Sequence, residues 1–179
     1  MNCGAIREGY KIYWYQLNFI LPSTYKAISL NEKCLNNRNM GTWGLNNFEN
    51  DGASDFAADI LEGDKSLIKD TIVKVTELSN EEYLEAPDCE NALVAIEFIA
   101  AFKGKPSEDL PKDAVDWIKK NDLLDFKTGF FGKRIDIINL SITAIDRITS
   151  NSELKELWEE SDEFEEWKRV INNLKQRII

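Results

Sequence analysis

The chain has 179 residues and no histidine, and its 32 acidic residues against 22 basic ones give a formal net charge of -10. Without an imidazole, histidine-activated serine or cysteine nucleophiles, histidine general bases and histidine-ligated metal sites are excluded. The negative charge disfavours nucleic acid and anionic membrane surfaces, which makes basic proteins the expected class of partner.

The length fits one domain, and a hydrophobic content of 43% fits a chain that buries a core. Three widely separated cysteines (Cys3, Cys34 and Cys89) match neither a metal-ligand spacing nor a disulfide framework, which favours the cytoplasm. No apolar run reaches the roughly 20 residues that span a bilayer. The sequence contains no cofactor motif, so we expect a cytoplasmic protein with neither a membrane segment nor a cofactor.

The composition of the chain changes at Met40. Residues 1–39 contain five basic and two acidic residues, whereas residues 40–179 contain 17 basic and 30 acidic residues, a net charge of -13. We therefore interpret residues 40–179 as the domain and residues 1–39 as an extension read from sequence upstream of a natural start at Met40. The alternative is a genuine N-terminal strand pair, Tyr10–Leu21 with Tyr25–Leu30.

The intact mass of the protein purified from its native host distinguishes these two interpretations. We expect a product that begins at Met40, because the two parts of the chain differ so strongly in charge. A product that begins at Met1 would show that the extension belongs to the native protein.

From residue 51 onward, apolar residues recur at helical spacing. A first helix, capped by Asp51 or Ser54, would end at Gly63, and Asp64 would cap a second helix. The apolar stripe of this second helix consists of Leu67, Ile68, Ile72, Val75 and Leu78.

A third helix is predicted over Asp88–Lys103, with Pro87 at its start. Every residue between Ala92 and Phe102 is apolar except Glu97. Since no side of this helix is polar, we expect it to lie at the centre of a bundle.

Four shorter patterns complete the chain. Pro111 would start a helix that carries Val115, Trp117 and Ile118. After a loop around Gly129 and Gly132, a stripe of Ile135, Ile138, Ile142, Ile145 and Ile148 is widened by Leu140 and Ala144. Two last helices carry Leu154, Leu157 and Trp158, and then Phe164, Trp167, Ile171, Leu174 and Ile178. The predicted fold is an all-α, single-domain bundle of about six or seven helices.

Acids are concentrated before and inside the first predicted helix. Asp51 and Asp55 are four residues apart, so a helix would place them on one face, roughly 6 Å apart. Two such carboxylates are suitable ligands for a hard divalent cation. The alternative is a capped helix start, because acids are commonplace at helix N-termini.

Glu97 is the most conspicuous titratable residue of the predicted core. A buried carboxylate costs several kcal/mol unless it is paired, protonated or turned towards a cavity. We expect Arg134 or Arg147 to pair with it and to fix the register of the helices. Alternatively, Glu97 is an acid of raised pKa or a metal ligand close to Asp51 and Asp55.

Residues 153–166 contain eight acids and a single base, Lys155. Such a concentration favours a surface that attracts a basic partner, and the binding residues we expect there are Glu156, Glu159, Glu160 and Glu163. The alternative is a pair of solvated helix faces.

Three tryptophans are candidates for binding or for packing. Trp158 and Trp167 lie beside the acidic residues, where they would either anchor a partner or fill the core, which is the commoner use at helical spacing. Trp43 lies between Gly41 and Gly44, and we interpret it as a plug on the bundle or as a binding residue.

Five motifs occur in order: M-G-T-W-G at 40–44, F-E-N-D at 48–51, E-A-P at 85–87, S-E-L-K-E-L-W at 152–158 and F-E-E-W at 164–167. In these motifs the chain resembles the bacterial family called domain of unknown function 4259, whose members start at the first of them. The resemblance implies an all-helical bacterial protein and provides no activity or catalytic residue.

These features favour a non-enzymatic protein that binds another protein, for example an immunity-type protein that neutralises a basic toxin through its acidic helices. The alternative is a divalent-metal-dependent hydrolase, or a ligand-binding domain, that uses only carboxylates: Asp51, Asp55 and Glu97.

Overall fold

A computed structural model describes residues 44–63, 65–79, 81–122 and 136–179, and these residues form seven helices. Their bounds are α1 Asp51–Glu62, α2 Ser66–Glu77, α3 Ala86–Phe102, α4 Lys112–Lys120, α5 Ile137–Ser150, α6 Glu153–Glu159 and α7 Phe164–Ile178. No strand occurs in this part of the chain, and the predicted all-α bundle is confirmed there. None of the seven helices is both long enough and apolar enough to cross a membrane.

Helix α3 lies at the centre of the bundle, as its apolar composition predicts. Every residue from Ala92 to Ala101 is buried, and α3 packs against each of the other six helices. Since neighbours cover all its sides, α3 needs no polar face. The helix stops before Gly104, whose φ of 80° is a conformation that favours glycine.

Helix α1 is capped by Asn50, so the prediction of Asp51 or Ser54 as the cap was wrong. The Asn50 side chain accepts a hydrogen bond of 2.6 Å from the Ala53 backbone N–H, whereas Asp51 and Ser54 are exposed. All three residue types are good caps, so the residue types alone do not identify the one that is used. The helix ends at Gly63, which has a φ of 129°, as predicted.

Replacing Asn50 by alanine is expected to lower the free energy of unfolding by about 1 kcal/mol, because the Ala53 N–H loses its acceptor. Urea denaturation measures the change. Asp51→Ala is the matched control and should have a much smaller effect, since Asp51 is exposed. An equal loss in both variants would mean that Asn50 is not the cap.

The buried face of α5 is rotated relative to the predicted isoleucine stripe. Its buried residues are Ile137, Ser141, Ala144, Ile145, Arg147 and Ile148. Ile138 and Ile142 are only half-buried. Ala144, Ile145 and Ile148 are buried as predicted. Ser141 was not part of the predicted stripe, and it is tolerated in the core because its hydroxyl donates a hydrogen bond of 2.7 Å to the Ile137 carbonyl. Asp64, Gly129, Gly132 and Ile135 lie outside the described residues.

The residues of the other predicted stripes are buried or partly buried with one exception. Ile68, Ile72 and Val75 of α2 lie in the core, as do Trp167, Ile171, Leu174 and Ile178 of α7. On α4, Val115 is 39% exposed, and Ala114 is buried in its place.

Two tryptophans join the C-terminal helices. Trp158 and Trp167 are 7% and 2% exposed, and their rings stack at 6.1 Å with an interplanar angle of 14°. Phe164 also stacks on Trp167, with the ring centroids 5.9 Å apart. Both tryptophans therefore belong to the core.

Candidate functional site

A cleft of about 610 Å³ lies beside the N-termini of α1, α3 and α6. Its polar lining consists of Asn50 and four acids: Asp51, Glu85, Glu90 and Glu153. Its remaining lining consists of Gly52, Tyr83, Ala86, Pro87 and Leu157. We refer to this feature as the acidic cleft.

Glu153 links the start of α6 to the start of α3 through two hydrogen bonds. Its backbone N–H donates a hydrogen bond of 2.9 Å to the Leu84 carbonyl, and its Oε2 accepts one of 2.7 Å from the Ala86 N–H. The N–H groups in the first turn of a helix have no partner within the helix, so this carboxylate satisfies one of them for α3. Ser152 caps α6 by accepting a hydrogen bond from the Lys155 N–H at 3.1 Å.

The acidic cleft keeps a negative charge despite the helix N-termini around it. Each N-terminus carries roughly half a positive charge, so three of them contribute about +1.5. Four carboxylates line the cleft, and none of the lining residues found within the described ranges is basic. The negative charges therefore exceed the positive ends of the helix dipoles.

Glu90 is a half-buried acid of the cleft. Burial alone raises the pKa of its carboxyl above the ordinary value of 4.5. Its side chain forms no ion pair or hydrogen bond within the described ranges, and its Oε2 lies 3.6 Å from the position that a Cβ on Gly52 would occupy. The result is a half-buried carboxylate that faces the cleft without a counter-charge from any described residue.

We expect Glu90→Gln to raise the free energy of unfolding at pH 7. The folded-state pKa of Glu90 is raised, so ionisation favours the unfolded chain, and stability falls as the pH rises through the unfolded-state value near 4.5 and on to the folded-state value. Thermal melts between pH 4 and pH 7 should show a smaller loss with rising pH for the variant than for the parent. A less stable variant at pH 7 would mean that Glu90 has a partner in the folded protein.

Tyr83 places an exposed aromatic ring on the edge of the cleft, with 61% of the residue accessible. The pKa of its hydroxyl is raised by desolvation first and then by the negative charges of Glu153 and Glu156. Its hydroxyl also forms a hydrogen bond with the Glu156 side chain. An aromatic face surrounded by carboxylates is a favourable place for a cation.

Glu97 is a paired core residue outside the acidic cleft. Arg177 donates to both of its oxygens, from Nη1 to Oε2 at 2.7 Å and from Nη2 to Oε1 at 2.6 Å. The Asn47 side-chain amide donates a third hydrogen bond, of 2.8 Å, to Oε1. The three donors occupy both oxygens of this buried carboxylate.

The expected partner of Glu97 was therefore wrong. Arg147 donates instead to the backbone carbonyls of Ser79, Glu82 and Asn151, and Arg134 lies outside the described residues. Arg177 follows Glu97 by 80 positions, and only the packing of α7 on α3 brings the two together.

The two aspartates of the predicted cation site differ in position. Both are exposed on α1, but Asp51 lines the acidic cleft and Asp55 does not. Within the described ranges, no three Cys, Asp or Glu side chains are arranged to hold a metal ion. Asp51, Asp55 and Glu97 consequently do not form such a group.

Several acids of α6 and the following turn are exposed. Glu156, Glu160 and Glu163 form no ion pair with any described residue, whereas Glu159 pairs with Lys155 at 2.8 Å. Trp43, the remaining sequence candidate, lies outside the described residues.

Cys89 is buried, and burial raises the pKa of its thiol to about 12. The thiol is protonated at neutral pH and is therefore not an activated nucleophile.

Glu85, Glu90 and Tyr83 were not predicted as site residues. Glu90 lies in the first turns of α3, where acids are commonplace because they complement the helix dipole. The sequence motifs could have indicated the cleft, because F-E-N-D, E-A-P and S-E-L-K-E-L-W each supply residues that line it.

A family model described as "Domain of unknown function (DUF4259)" matches residues 41–170. No curated protein and no solved structure matches the chain. The matched range contains every residue that lines the acidic cleft.

Proposed function

We propose that the chain, which belongs to the DUF4259 family, is a non-enzymatic interaction module that binds a basic protein through the acidic cleft. The single observation that carries this proposal is Glu90, a half-buried carboxylate without a partner among the described residues. Its ionised form costs stability, and a cation from a partner would remove that cost.

The partner group that fits best is an arginine side chain. A guanidinium group pairs with a carboxylate through two parallel hydrogen bonds and also stacks on an aromatic ring. Glu90 provides the carboxylate, and the exposed ring of Tyr83 provides the stacking surface at the edge of the same cleft.

The exposed acids of α6 extend this surface beyond the cleft. Glu156 and Glu160 follow Glu153 by three and seven residues, so they lie on the same side of α6 as the cleft. Glu163 adds a further exposed carboxylate in the next turn, and Glu159 lies on the same short helix. Charges of one sign steer a basic partner towards its binding site and raise the association rate.

Fluorescence anisotropy with a labelled peptide of alternating arginine and glycine tests the proposal. The parent protein should bind this peptide, and the double variant Glu85→Gln/Glu90→Gln should bind it roughly tenfold to a hundredfold more weakly. That range corresponds to about 1.5–3 kcal/mol for a hydrogen bond to a charged group.

The matched control is Glu62→Gln/Glu77→Gln, which changes the net charge equally at two exposed acids outside the cleft. The control should retain nearly the parent affinity. An equal loss of affinity in both double variants would mean that the peptide is attracted by the net charge of the protein and not by the cleft. Absence of binding by the parent protein would overturn the proposal. A melting temperature that Mg²⁺ or Mn²⁺ raises more than NaCl of equal ionic strength would favour the metal-dependent alternative.

The most specific form of the proposal is an immunity-type role in the bacterial cytoplasm, in which the basic partner is a toxin. Pull-down from the native host, followed by reconstitution with the purified partner, tests this form. The reconstituted partner should be basic, should lose its toxicity in the complex, and should bind Glu85→Gln/Glu90→Gln weakly. A partner that binds this variant as tightly as the parent would contradict the role of the cleft.

A further inference from the structure

A buried hydrogen-bond network joins the loop before α1, the centre of α3 and the last turn of α7. Glu97 at its centre is 2% exposed, Asn47 is 7% exposed, and the Arg177 side chain is 15% exposed. Arg177 also donates a hydrogen bond of 3.2 Å to the Lys105 carbonyl. The network thus connects segments that are far apart along the sequence.

One end of this network lies next to the acidic cleft. Asn47, the residue bound to Glu97, is three positions before Asn50, which caps α1 and lines the cleft together with Asp51 and Gly52. Between these positions Phe48 is buried, with its ring 6.5 Å from that of Phe98. The segment that precedes the wall of the cleft is therefore held on α3 by the hydrogen bond of Asn47 and the aromatic contact of Phe48.

We infer that Arg177 is a positioning residue for the acidic cleft, because it orients Glu97, which in turn holds Asn47 and the wall formed by residues 50–52. Without Arg177, the buried Glu97 carboxylate would lose the charged partner that fixes its orientation and would keep only a neutral donor. A carboxylate that reorients alters the acceptor that holds Asn47. The last turn of α7 would then affect a surface that it does not line.

Hydrogen exchange measured by mass spectrometry tests this coupling without any ligand. Arg177→Lys keeps the positive charge but loses the bidentate pairing with Glu97. Asn47→Ala removes the hydrogen bond between the loop and Glu97 and leaves Arg177 and Glu97 paired. We expect both variants to speed the exchange of amides in residues 46–53 by about tenfold, a local opening that leaves residues 66–77 nearly unchanged.

The matched control is Arg169→Lys on the same helix, where the parent arginine pairs with Glu166 at 3.0 Å on the surface. It should leave residues 46–53 unchanged. If Arg177→Lys speeds exchange equally in residues 46–53 and 66–77, or in neither, Arg177 serves only global stability and the inference fails. Asn47→Ala remains informative if Arg177→Lys does not fold, and unchanged exchange in residues 46–53 of Asn47→Ala would also overturn the inference.

The effect on binding rests on the proposed function, and the arginine–glycine peptide measures it separately. Both variants should bind the peptide more weakly than Arg169→Lys does. Unchanged affinity in Arg177→Lys, with a parent protein that binds, would overturn the link to the cleft. If the parent protein does not bind the peptide at all, the proposed function fails, while the exchange data still decide whether Arg177 positions residues 50–52.

Discussion

Glu97→Ala is expected to lower the free energy of unfolding by about 3–5 kcal/mol, the cost of breaking a buried ion pair by removing one partner. The variant removes the carboxylate that pairs with the Arg177 guanidinium and accepts from the Asn47 amide, in a region that is largely closed to water. Urea denaturation followed by tryptophan fluorescence gives the loss, with the midpoint shifted at an unchanged slope.

Two further variants define the origin of this loss. Glu97→Gln keeps the size of the side chain and one oxygen acceptor, so we expect it to lose less stability than Glu97→Ala. Glu62→Ala removes an exposed carboxylate and should change the free energy of unfolding by less than about 0.5 kcal/mol. A Glu97→Ala protein that melts like the parent but loses a ligand would show that Glu97 is a binding residue rather than a structural one.

Trp167→Ala is the other substitution with a large expected effect, again about 3–5 kcal/mol. Trp167 is 2% exposed and stacks on both Trp158 and Phe164, so its removal leaves a cavity between α6 and α7. Thermal and urea denaturation should both report the loss.

Tyr83→Ala provides the control for Trp167→Ala, because Tyr83 is an aromatic residue with 61% exposure. It should change stability by less than about 0.5 kcal/mol and should weaken binding of the arginine–glycine peptide. If Trp167→Ala kept its stability and lost only the peptide, Trp167 would be a partner anchor and its core assignment would be wrong.

The sequence predicted the position of a helix in the fold when the residues of that helix indicate what surrounds it. Helix α3 is apolar on all sides, and only a central position satisfies such a surface. The stripe of α5 was predicted only in part, because Ser141 occupies the buried face by bonding to the Ile137 carbonyl, and a hydrophobic pattern does not reveal this local hydrogen bond.

The acidic cleft was harder to predict because several separate segments build it. Asp51 could be selected from local spacing, but Glu90 resembled an ordinary acid in the first turns of a helix. Its importance depends on burial and on the absence of a counter-charge among the described residues, and both are tertiary properties. The partner of Glu97 was missed for the same reason, since four arginines follow it in the chain and only the packing of α7 selects Arg177.

The central position of α3 also has a consequence for synthesis on the ribosome. Helices α1 and α2 precede α3 in the chain, yet their apolar residues, such as Phe56, Ile60 and Ile72, are buried against a core that α3 dominates. As the chain emerges from its N-terminal end, these side chains have no stable partner until α3 follows. The nascent protein therefore exposes hydrophobic surface that chaperones can bind, and we expect its stable folding to begin only after α3 has been made.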